Sequence, residues 1–161
     1  MPSTASQAAP HPADTHGLGD FLCFAIYSAN LAFGRAYRPI LEALGLTSYT
    51  QFIAIVALWE EDNQNVHTLG EKLFLESNTL TPILKKLEQA GYVSRIRDPG
   101  DERQVRLSLT AAGRRLLEND LGAALVDACG LGDEFSVVQK NVVRLRDNLL
   151  RNTRGKQRQA G

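Results

Sequence analysis

The sequence predicts a mainly α-helical fold that carries one small β-hairpin, and three observations support this prediction. Apolar residues recur at helical spacing over most of the chain, whereas the alternation typical of strands is confined to residues 92–97 and 103–109. A polar segment with a Pro-Gly dipeptide, residues 98–102, separates these runs and predicts a turn. Two helical segments joined by a short turn, 69–73 and 77–90, come directly before the hairpin. The order helix, turn, helix, hairpin predicts a winged helix-turn-helix with further helices on either side.

Length and charge are consistent with this fold. The chain has 161 residues, enough for one domain with a core, and its formal net charge is zero. Lys and Arg number two against six Asp and Glu in residues 1–68, nine against six in 69–115, and seven against six in 116–161. The positive excess therefore falls on the predicted winged segment, as a phosphate-binding surface requires, but it is too small to identify such a protein alone.

No targeting segment, membrane span or metal site is expected. Residues 1–20 lack the basic start and apolar stretch of a signal peptide, and the longest apolar run, Phe52–Trp59, is too short to cross a bilayer. We therefore expect a cytoplasmic protein, a compartment in which structural disulfides are rare. Two distant cysteines make a poor zinc site, and His11, His16 and His67 are typical of solvated side chains, so no cofactor is expected.

The chain begins with a segment that lacks an apolar face. Residues 1–19 are rich in Ala, Pro and Ser and predict a flexible tail, so the predicted domain covers residues 20–150. Asp20 is a candidate cap of a helix that extends to Leu44 and that Pro39 bends or interrupts. The apolar face of this helix is wider than one small domain needs, which suggests that it packs against a second subunit.

The next helix is predicted to form the core. Residues 49–62 are rich in apolar side chains, and Trp59 is expected to fill the core rather than to bind a ligand. Residues 63–65 then turn the chain into the helix-turn-helix, so residues 49–110 make up the predicted winged unit.

The second helix of the winged unit has two different faces. Leu80, Leu84 and Leu87 recur at helical spacing and predict a buried face, while Gly91 ends the helix as a left-handed C-cap residue does. Ser77 is a candidate N-cap. A helix start rich in small hydroxyl and amide side chains suits close approach to DNA phosphates and base edges, but a solvated polar face explains it equally well. The candidate DNA-contacting residues are Ser77, Asn78, Thr79, Thr81, Lys85 and Lys86.

Arginines cluster on the predicted hairpin. Arg95 and Arg97 precede the turn, and Arg103 and Arg106 follow it. Asp101 and an adjacent glutamate come directly before Arg103, so a local salt bridge is one explanation of this pattern. The functional explanation is that the wing tip presents Arg103 to a narrow minor groove, where the potential is most negative. The candidate DNA-contacting residues of the wing are therefore Arg95, Arg97, Asp101 and Arg103.

The terminal helices are not needed for a winged unit. Thr110 is a candidate cap of a helix that ends at Cys129, and a last amphipathic helix precedes a basic, frayed tail at 151–161. The economical explanation of these helices is a homodimer formed by residues 20–48 and 111–150. Such a dimer would place two recognition helices about one DNA turn apart, ~34 Å, so that they face a palindromic site.

Cys23 lies in the first turn of the first helix. The unpaired amides and the helix dipole there favour a thiolate, which is the species that attacks a peroxide to give a sulfenic acid. A small buried hydrophobic residue is the commoner fate of a free cysteine, so the position alone leaves both roles open. Tyr27 lies one turn further along the helix and could neighbour Cys23. Tyr37 lies fourteen residues on, about 21 Å along a straight helix, and could reach this sulfur only from another subunit.

The winged unit resembles a known family of regulators. Asp101-Glu-Arg103, followed by Leu107-Ser-Leu-Thr110 and the helix with Gly113, resembles the wing signature of the MarR family. The segments Leu73–Ser77, Thr79–Pro82 and Leu84–Glu88 resemble the recognition helix of its organic-hydroperoxide-sensing branch, the OhrR repressors. Cys23-Phe-Ala-Ile-Tyr27 resembles the reactive-cysteine segment of that branch, and the resemblance covers roughly residues 21–129.

The resemblance implies roles for two more tyrosines and for the second cysteine. In the family, two tyrosines of the partner subunit hydrogen-bond the reactive sulfur, and Tyr37 and Tyr49 are the matching positions. This chain departs from the family pattern in having Ser48 inserted directly before Tyr49. Members with a second cysteine form a disulfide between subunits, which implies that Cys129 captures oxidised Cys23 of the other subunit.

These observations together predict a redox-sensing transcriptional repressor that is not an enzyme. Reduced, the homodimer binds a palindromic operator in double-stranded DNA, and oxidation of Cys23 by an organic hydroperoxide releases it. One alternative is a MarR-type repressor that responds to a small aromatic ligand, with both cysteines incidental. A thiol peroxidase is another, although it would leave the basic helix and wing without a role, and a third is a helical interaction module that never touches DNA.

Overall fold

The structure is a computed structural model that describes residues 17–118 and 120–159, without the side chains of Glu102, Arg103 and residues 154–159. Residues 1–16 of the predicted N-terminal tail, with His11 and His16, therefore lie outside the described residues. The chain divides into two compact units after Arg35.

The first unit contains a 3-10 turn and the start of a long helix. The turn covers Leu18–Asp20, and helix α1 covers Leu22–Glu42, so the boundary between the units lies within α1. Asp20 does not cap α1 as predicted, because its carboxylate accepts a hydrogen bond of 3.1 Å from the backbone amide of Gly17. The carbonyl of Phe21 instead accepts the first helical amides. Pro39 lies inside α1 without interrupting it.

The second unit contains the remaining elements. In order they are α2 (Tyr49–Glu60), β1 (Gln64–Asn65), α3 (Val66–Leu73), α4 (Ser77–Gln89), β2 (Val93–Asp98), β3 (Asp101–Leu109), α5 (Ala111–Glu118), α6 (Leu121–Ala128) and α7 (Phe135–Gln159). The strands form an antiparallel sheet in the order β1-β3-β2. The predicted mainly helical fold with a winged helix-turn-helix is confirmed. The two-residue strand β1 was not predicted, because two residues are too few to show alternation.

The core of the second unit is built around α2 and α4. Ala54, Ile55 and Leu58 of α2 are fully buried, and so is the predicted leucine face of α4. Trp59 does not fill the core as predicted: it is 48% exposed, with the guanidinium of Arg114 6.0 Å from its ring centroid. Because α2 is apolar nearly all round its surface, the sequence pattern could not tell which side chains face inwards.

The connection between α3 and α4 is a tight turn. Phe74 adopts a left-handed conformation with φ of 57°, and the amide of Leu75 donates to the carbonyl of Gly70 at 2.9 Å. A Cβ atom at Gly70 would lie 2.6 Å from the carbonyl oxygen of Leu75. Only glycine therefore permits this approach of the two helices.

The ends of α4 differ in how well the sequence predicted them. Ser77 is the first helical residue rather than the N-cap, which is Glu76, and Glu76 makes no side-chain capping bond. The carbonyl of Glu76 accepts from the amides of Thr79 and Leu80. Gly91, with φ of 78°, ends the helix as predicted.

The C-terminal helices depart from the prediction in two places. The predicted helix up to Cys129 is divided into α5 and α6, because the backbone of Asp120 leaves the helical region with ψ of 50°. Thr110 caps α5 as predicted, since its hydroxyl accepts from the amide of Gly113 at 3.1 Å. Helix α7 continues through residues 151–159, which were predicted to fray, because Arg, Lys and Gln are good helix formers. Within the described residues, no helix is both long enough and apolar enough to cross a bilayer.

Candidate nucleic-acid interface and cysteine site

One face of α4 exposes every polar residue that the sequence assigned to it. We call this face the recognition surface; it consists of Ser77, Asn78, Thr79, Thr81, Lys85 and Lys86, all of which are exposed. The fully buried Leu80, Leu84 and Leu87 hold the opposite face against the core. Because residues four apart lie on the same side of a helix, Ser77, Thr81 and Lys85 form one row along it.

The recognition surface carries two exposed cations, Lys85 and Lys86. Within the described part of the chain, Lys85 and Lys86 form no ion pair. The hydroxyl of Thr81 donates to the carbonyl of Ser77 at 2.7 Å, which leaves its oxygen facing outwards as an acceptor. The surface therefore presents two positive charges beside small hydroxyl and amide groups, a combination that suits an anionic, hydrogen-bonding ligand.

The two arginines of β2 have different environments. Arg95 is half-buried and lies 3.7 Å from the carboxylate of Glu88 on α4, and its Nε atom is buried without a hydrogen-bond partner in the described structure. Arg97 is exposed and forms no ion pair with any described residue. Arg95 therefore connects the hairpin to α4, whereas Arg97 is available to an external anion.

An ion pair holds the hairpin in place. The guanidinium of Arg106 donates to the Asp98 carboxylate at 2.7 Å and to the carbonyl of Asn63 at 3.2 Å. The hydrogen bond from Arg106, with a second from the amide of Gly100, lowers the pKa of Asp98 below its ordinary value. The hairpin is thus tied to the loop between α2 and β1, and Asp98 remains a carboxylate well into the acid range.

The predicted wing-tip residues lie on β3. Asp101 opens the strand and accepts a hydrogen bond of 3.2 Å from the side chain of Gln104. The backbone of Arg103 lies in β3 as predicted, but its side chain is outside the described structure. The contact of Arg103 with a DNA minor groove therefore stays a prediction.

Two anchoring residues of the wing were not singled out from the sequence. Asp62 accepts from the backbone amide of Leu109 at 3.0 Å and from the guanidinium of Arg114, and Asp98 pairs with Arg106 as described above. Because Ile96 lies opposite Arg106 in the hairpin, Asp98 and Arg106 are diagonal neighbours on one face. The register of the hairpin would have been needed to find this pair from the sequence.

Cys23 lies in the first unit and is exposed. It is the second residue of α1, as the predicted position in the first helical turn requires. Tyr27 is 59% exposed, and its ring lies 6.4 Å from that of Phe24. The structure therefore places Cys23 and Tyr27 one turn apart on the same helix, without a hydrogen bond between them among the described residues.

Tyr37, Tyr49 and Cys129 come together in the second unit. The hydroxyl of Tyr37 lies 3.2 Å from the Sγ atom of Cys129, which itself donates to the carbonyl of Leu125 at 3.2 Å. The rings of Tyr37 and Tyr49 lie 5.6 Å apart between centroids. We call Tyr37, Tyr49 and Cys129 the cysteine cluster; it joins the two tyrosines with a cysteine of their own chain.

Both tyrosines of the cluster are neutral phenols near neutral pH. Burial is the main cause that raises the pKa of Tyr37 well above its ordinary value, and the hydrogen bond and electrostatic interaction with Cys129 raise it further. Burial, followed by the same sulfur, also raises the pKa of Tyr49. Tyr37 can therefore act as a hydrogen-bond donor, but it cannot act as a general base.

No group of three or more candidate metal ligands occurs in the described part of the chain. His67 is an exposed side chain with Nε2 3.7 Å from the carboxylate of Glu71.

Comparison with known proteins gives consistent matches. Residues 35–119 match the family of transcriptional regulators SarA/Rot. The HTH-type transcriptional regulator TtmR of Methylorubrum extorquens is 52% identical over 103 residues, which are 64% of this chain and 52% of TtmR. The organic hydroperoxide resistance transcriptional regulator of Bacillus subtilis is 43% identical over 97 residues, 60% of this chain and 65% of that protein. The chain thus spans about half the length of the first relative and under two thirds of the second.

The solved structures that resemble this chain include AbfR of Staphylococcus epidermidis. Overoxidized AbfR bound to DNA has a TM-score of 0.67 and 36% identity, and the match covers 82% of this chain and 94% of AbfR. AbfR has also been solved reduced on DNA and with its disulfide formed. Because the family match covers more than half of the sequence and the AbfR match nearly the whole of that protein, the chain belongs to the winged helix-turn-helix transcriptional regulators of the SarA/Rot/MarR type.

Proposed function

We propose that the chain is a dimeric transcriptional repressor that binds a palindromic DNA operator when reduced. An organic hydroperoxide oxidises Cys23, and Cys129 of the other subunit then closes a disulfide that keeps the protein off the operator. The observation that carries this proposal is the cysteine cluster, in which a second cysteine is held by a buried tyrosine in a chain whose exposed Cys23 starts a long helix. The similarity to an organic hydroperoxide resistance regulator supports the choice of oxidant.

The recognition surface supports DNA as the ligand. In a winged helix-turn-helix, the second helix of the motif can enter the major groove, where its side chains reach base edges. Helix α4 exposes hydroxyl and amide groups in its first turns and, further along, two lysines that form no ion pair with a described residue. In this arrangement the lysines bind the phosphate backbone while the residues of the first turns read the bases.

The hairpin supplies the second contact. Arg97 is exposed without an ion pair in the described structure, and Arg103 follows it on the neighbouring strand. An arginine in a narrow minor groove is attracted by the negative potential there. The pairing of Arg106 with Asp98 fixes the hairpin before DNA arrives, so that less conformational entropy is lost on binding.

A second copy of the chain is proposed to cover the exposed apolar side chains of the terminal helices. Leu22 and Leu31 of α1 are 60% and 45% exposed, and Val137 and Leu149 of α7 are 60% and 58% exposed. Exposed apolar faces of this extent are typical of protein interfaces. A two-fold dimer would present two recognition surfaces to a palindromic operator.

The chemistry of the switch starts at Cys23. Its thiolate attacks the terminal oxygen of the hydroperoxide, the O–O bond breaks, and the alcohol leaves with a proton, so that the sulfur is oxidised to a sulfenic acid. The thiol of Cys129 then attacks that sulfur. The S–S bond forms, the S–O bond breaks, and the hydroxyl leaves as water with the thiol proton.

The disulfide, rather than further oxidation of Cys23, is proposed to release the operator. AbfR has been solved overoxidized on DNA, so in that protein the over-oxidised form still binds DNA. If this chain behaves in the same way, a protein whose Cys23 is over-oxidised without forming the disulfide would stay on the operator. To change operator occupancy from mostly bound to mostly free, the disulfide must weaken binding by about 10⁴-fold.

The direct test is operator binding measured across one redox cycle. A DNA fragment from upstream of the protein's own gene should shift with reduced protein, lose the shift after cumene hydroperoxide, and regain it after dithiothreitol. Cys23→Ser removes the nucleophile with little change in volume, so this variant should bind the same fragment and ignore the hydroperoxide.

Three results would count against the proposal. Release of Cys23→Ser protein by hydroperoxide would show that Cys23 is not the trigger. Steady turnover of hydroperoxide with a thiol reductant, without DNA binding, would indicate a thiol peroxidase. Release by a small aromatic compound, with no response to hydroperoxide, would indicate a ligand-responsive regulator.

A further inference from the structure

The sulfur of Cys129 has two partners in the second unit. Its Sγ atom lies 3.2 Å from the hydroxyl of Tyr37 and 3.2 Å from the carbonyl oxygen of Leu125. A thiol carries one hydrogen, and the carbonyl can only accept. When both bonds are formed, the thiol therefore donates to Leu125 and the phenol of Tyr37 donates to the sulfur.

Tyr37 is well held for this role. It is only 9% exposed, and its ring packs against that of Tyr49. Burial and the Cys129 sulfur both raise its pKa, so the phenol keeps its hydrogen at neutral pH. The phenol therefore remains a donor under the conditions in which the protein acts.

The carbonyl of Leu125 accepts a hydrogen bond from the Cys129 thiol, whereas Tyr37 donates one to it. This carbonyl lies one helical turn before Cys129, and Cys129 is the C-cap residue of α6. This acceptor fixes the direction in which the S–H group of Cys129 points. The two partners together hold the sulfur in one orientation.

We propose that Tyr37 is a positioning residue for Cys129, which aims its sulfur and thereby determines how fast the disulfide forms. This inference rests on the proposed function, because it assigns Tyr37 to the second step of that reaction. The thiol attacks the sulfenic acid of Cys23, the S–S bond replaces the S–O bond, and water leaves. The sulfur of Cys129 is oxidised in this step and that of Cys23 is reduced from the sulfenic state.

The sulfenic acid of Cys23 can also be over-oxidised, so the rate at which Cys129 closes the disulfide decides how much protein stays reversible. A second hydroperoxide molecule converts the sulfenic acid irreversibly to a sulfinic acid. If Tyr37 aims the thiol, removing its hydroxyl slows the step from the sulfenic acid to the disulfide more than it slows the first oxidation. More of the protein should then accumulate in the over-oxidised form.

The first experiment measures the two steps separately in Tyr37→Phe, which keeps the buried ring and loses the hydroxyl. Tyr92→Phe is the matched control, because it also removes a hydrogen-bonded tyrosine hydroxyl, which donates to the carbonyl of Leu44 at 3.0 Å rather than to a cysteine. Closure of the disulfide from the sulfenic acid should slow by about tenfold in Tyr37→Phe, which is the rate equivalent of one hydrogen bond, and stay within about twofold in Tyr92→Phe.

The sulfenic acid is trapped with dimedone in a Cys129→Ser background, where only the first step can occur. Its rate gives the effect of Tyr37→Phe on the first oxidation, so that this effect can be separated from the effect on the disulfide. A disulfide step that slows no more than the first oxidation would overturn the proposal, because Tyr37 would then serve Cys23 alone. An unchanged rate of disulfide formation would overturn it as well.

The second experiment needs no peroxide. In Cys23→Ser protein only the thiol of Cys129 remains, so its S–H Raman band reports this sulfur alone. The band should shift in the Tyr37→Phe variant and not in Tyr92→Phe, and an unmoved band in Tyr37→Phe would overturn the hydrogen-bond assignment. If the wild-type protein forms no disulfide with hydroperoxide, the proposed function fails, but the Raman result still decides whether Tyr37 positions Cys129.

Discussion

At the scale of single residues, the wing depends on Arg106. Its guanidinium joins Asp98 within the hairpin to the backbone of Asn63 outside it. Asn63 has a left-handed conformation with φ of 56°, so the loop that receives Arg106 has its own backbone constraint. The charge of Arg106 is therefore used within the protein, whereas that of Arg97 is directed to solvent.

The Asp98–Arg106 pair should be visible in a titration. The pKa of Asp98 is lowered, so the pair contributes stability that is present above the ordinary aspartate pKa of about 3.9 and is lost as pH falls through the lowered value. Carboxyl ¹³C NMR should therefore place the Asp98 midpoint below 3.9. In Arg106→Gln the midpoint should rise towards that value, because the largest cause of the shift is removed.

The control for this titration is Arg115→Gln, which removes an exposed arginine of α5. It should leave the Asp98 midpoint unchanged. A midpoint that is equal in wild type and Arg106→Gln would contradict the role assigned to Arg106.

Sequence patterns singled out the candidate site residues, but not the contacts between them. Cys23, Tyr37, Tyr49 and Cys129 were all singled out, yet the hydrogen bond between Tyr37 and Cys129 of one chain was not foreseen. The two residues are 92 positions apart in the sequence, and no local pattern reports a contact over that separation. The role of Tyr37 towards Cys23 of the other subunit stays a prediction.

At the scale of elements, the helix-turn-helix depends on the close approach at Gly70. A side chain at this position would meet the backbone of Leu75, which the left-handed Phe74 places there. Because the obstacle is backbone rather than a flexible side chain, it can move only if α3 and α4 separate. The turn therefore fixes the direction in which α4 leaves the core.

Gly70→Ala should destabilise the protein by about 1–3 kcal/mol, the usual cost of overpacking. Gly122→Ala is the matched control: Gly122 lies in α6 with nothing within 4 Å of a new Cβ atom, so it should be neutral or stabilise by up to about 1 kcal/mol. Urea unfolding of both variants measures the difference. Equal stabilities would contradict the close approach at Gly70.

The wing should act on DNA through its exposed arginine. Arg97→Ala should weaken operator binding and reduce the slope of log K against log salt by about one phosphate contact, because an unpaired cation is lost. Arg115→Ala, with the same charge change on α5, should leave both quantities unchanged. Fluorescence anisotropy at several salt concentrations measures them, and equal slopes in Arg97→Ala and wild type would remove Arg97 from the interface.

Helix types were predictable, but several boundaries and faces were not. The leucine face of α4 and its glycine stop follow from spacing and backbone preference, and both are confirmed. Trp59 was misplaced because α2 is apolar on all sides, and β1 was missed because it has two residues. The break between α5 and α6 depends on the backbone of Asp120, which carries no apolar signal.

At the scale of the whole molecule, the proposed switch needs two copies of the chain. Exposed apolar side chains on α1 and α7 would supply the surface for association, and the recognition surface and hairpin would supply the contact with DNA. A covalent link through Cys23 and Cys129 would join these two functions. It would convert a chemical change at one residue into a changed spacing of two recognition helices.

A disulfide between subunits can form in a mixed dimer of two single-cysteine variants, whereas a disulfide within one chain cannot. A chain with Cys23→Ser retains only Cys129, and a chain with Cys129→Ser retains only Cys23. Neither chain can form the Cys23–Cys129 bridge by itself or as a homodimer. A mixed dimer of the two contains one complete pair, and that pair lies across the interface.

The mixed dimer is therefore the most direct test of the proposed switch. It is prepared with two different affinity tags, treated with cumene hydroperoxide, and measured for covalent linkage on a non-reducing denaturing gel and for operator binding. We expect a covalently linked dimer that loses the operator, while each parent homodimer stays unlinked. Dithiothreitol should separate the linked chains and restore operator binding. A mixed dimer that stays unlinked and bound to the operator, beside wild-type protein that forms the bridge within single chains, would contradict the account.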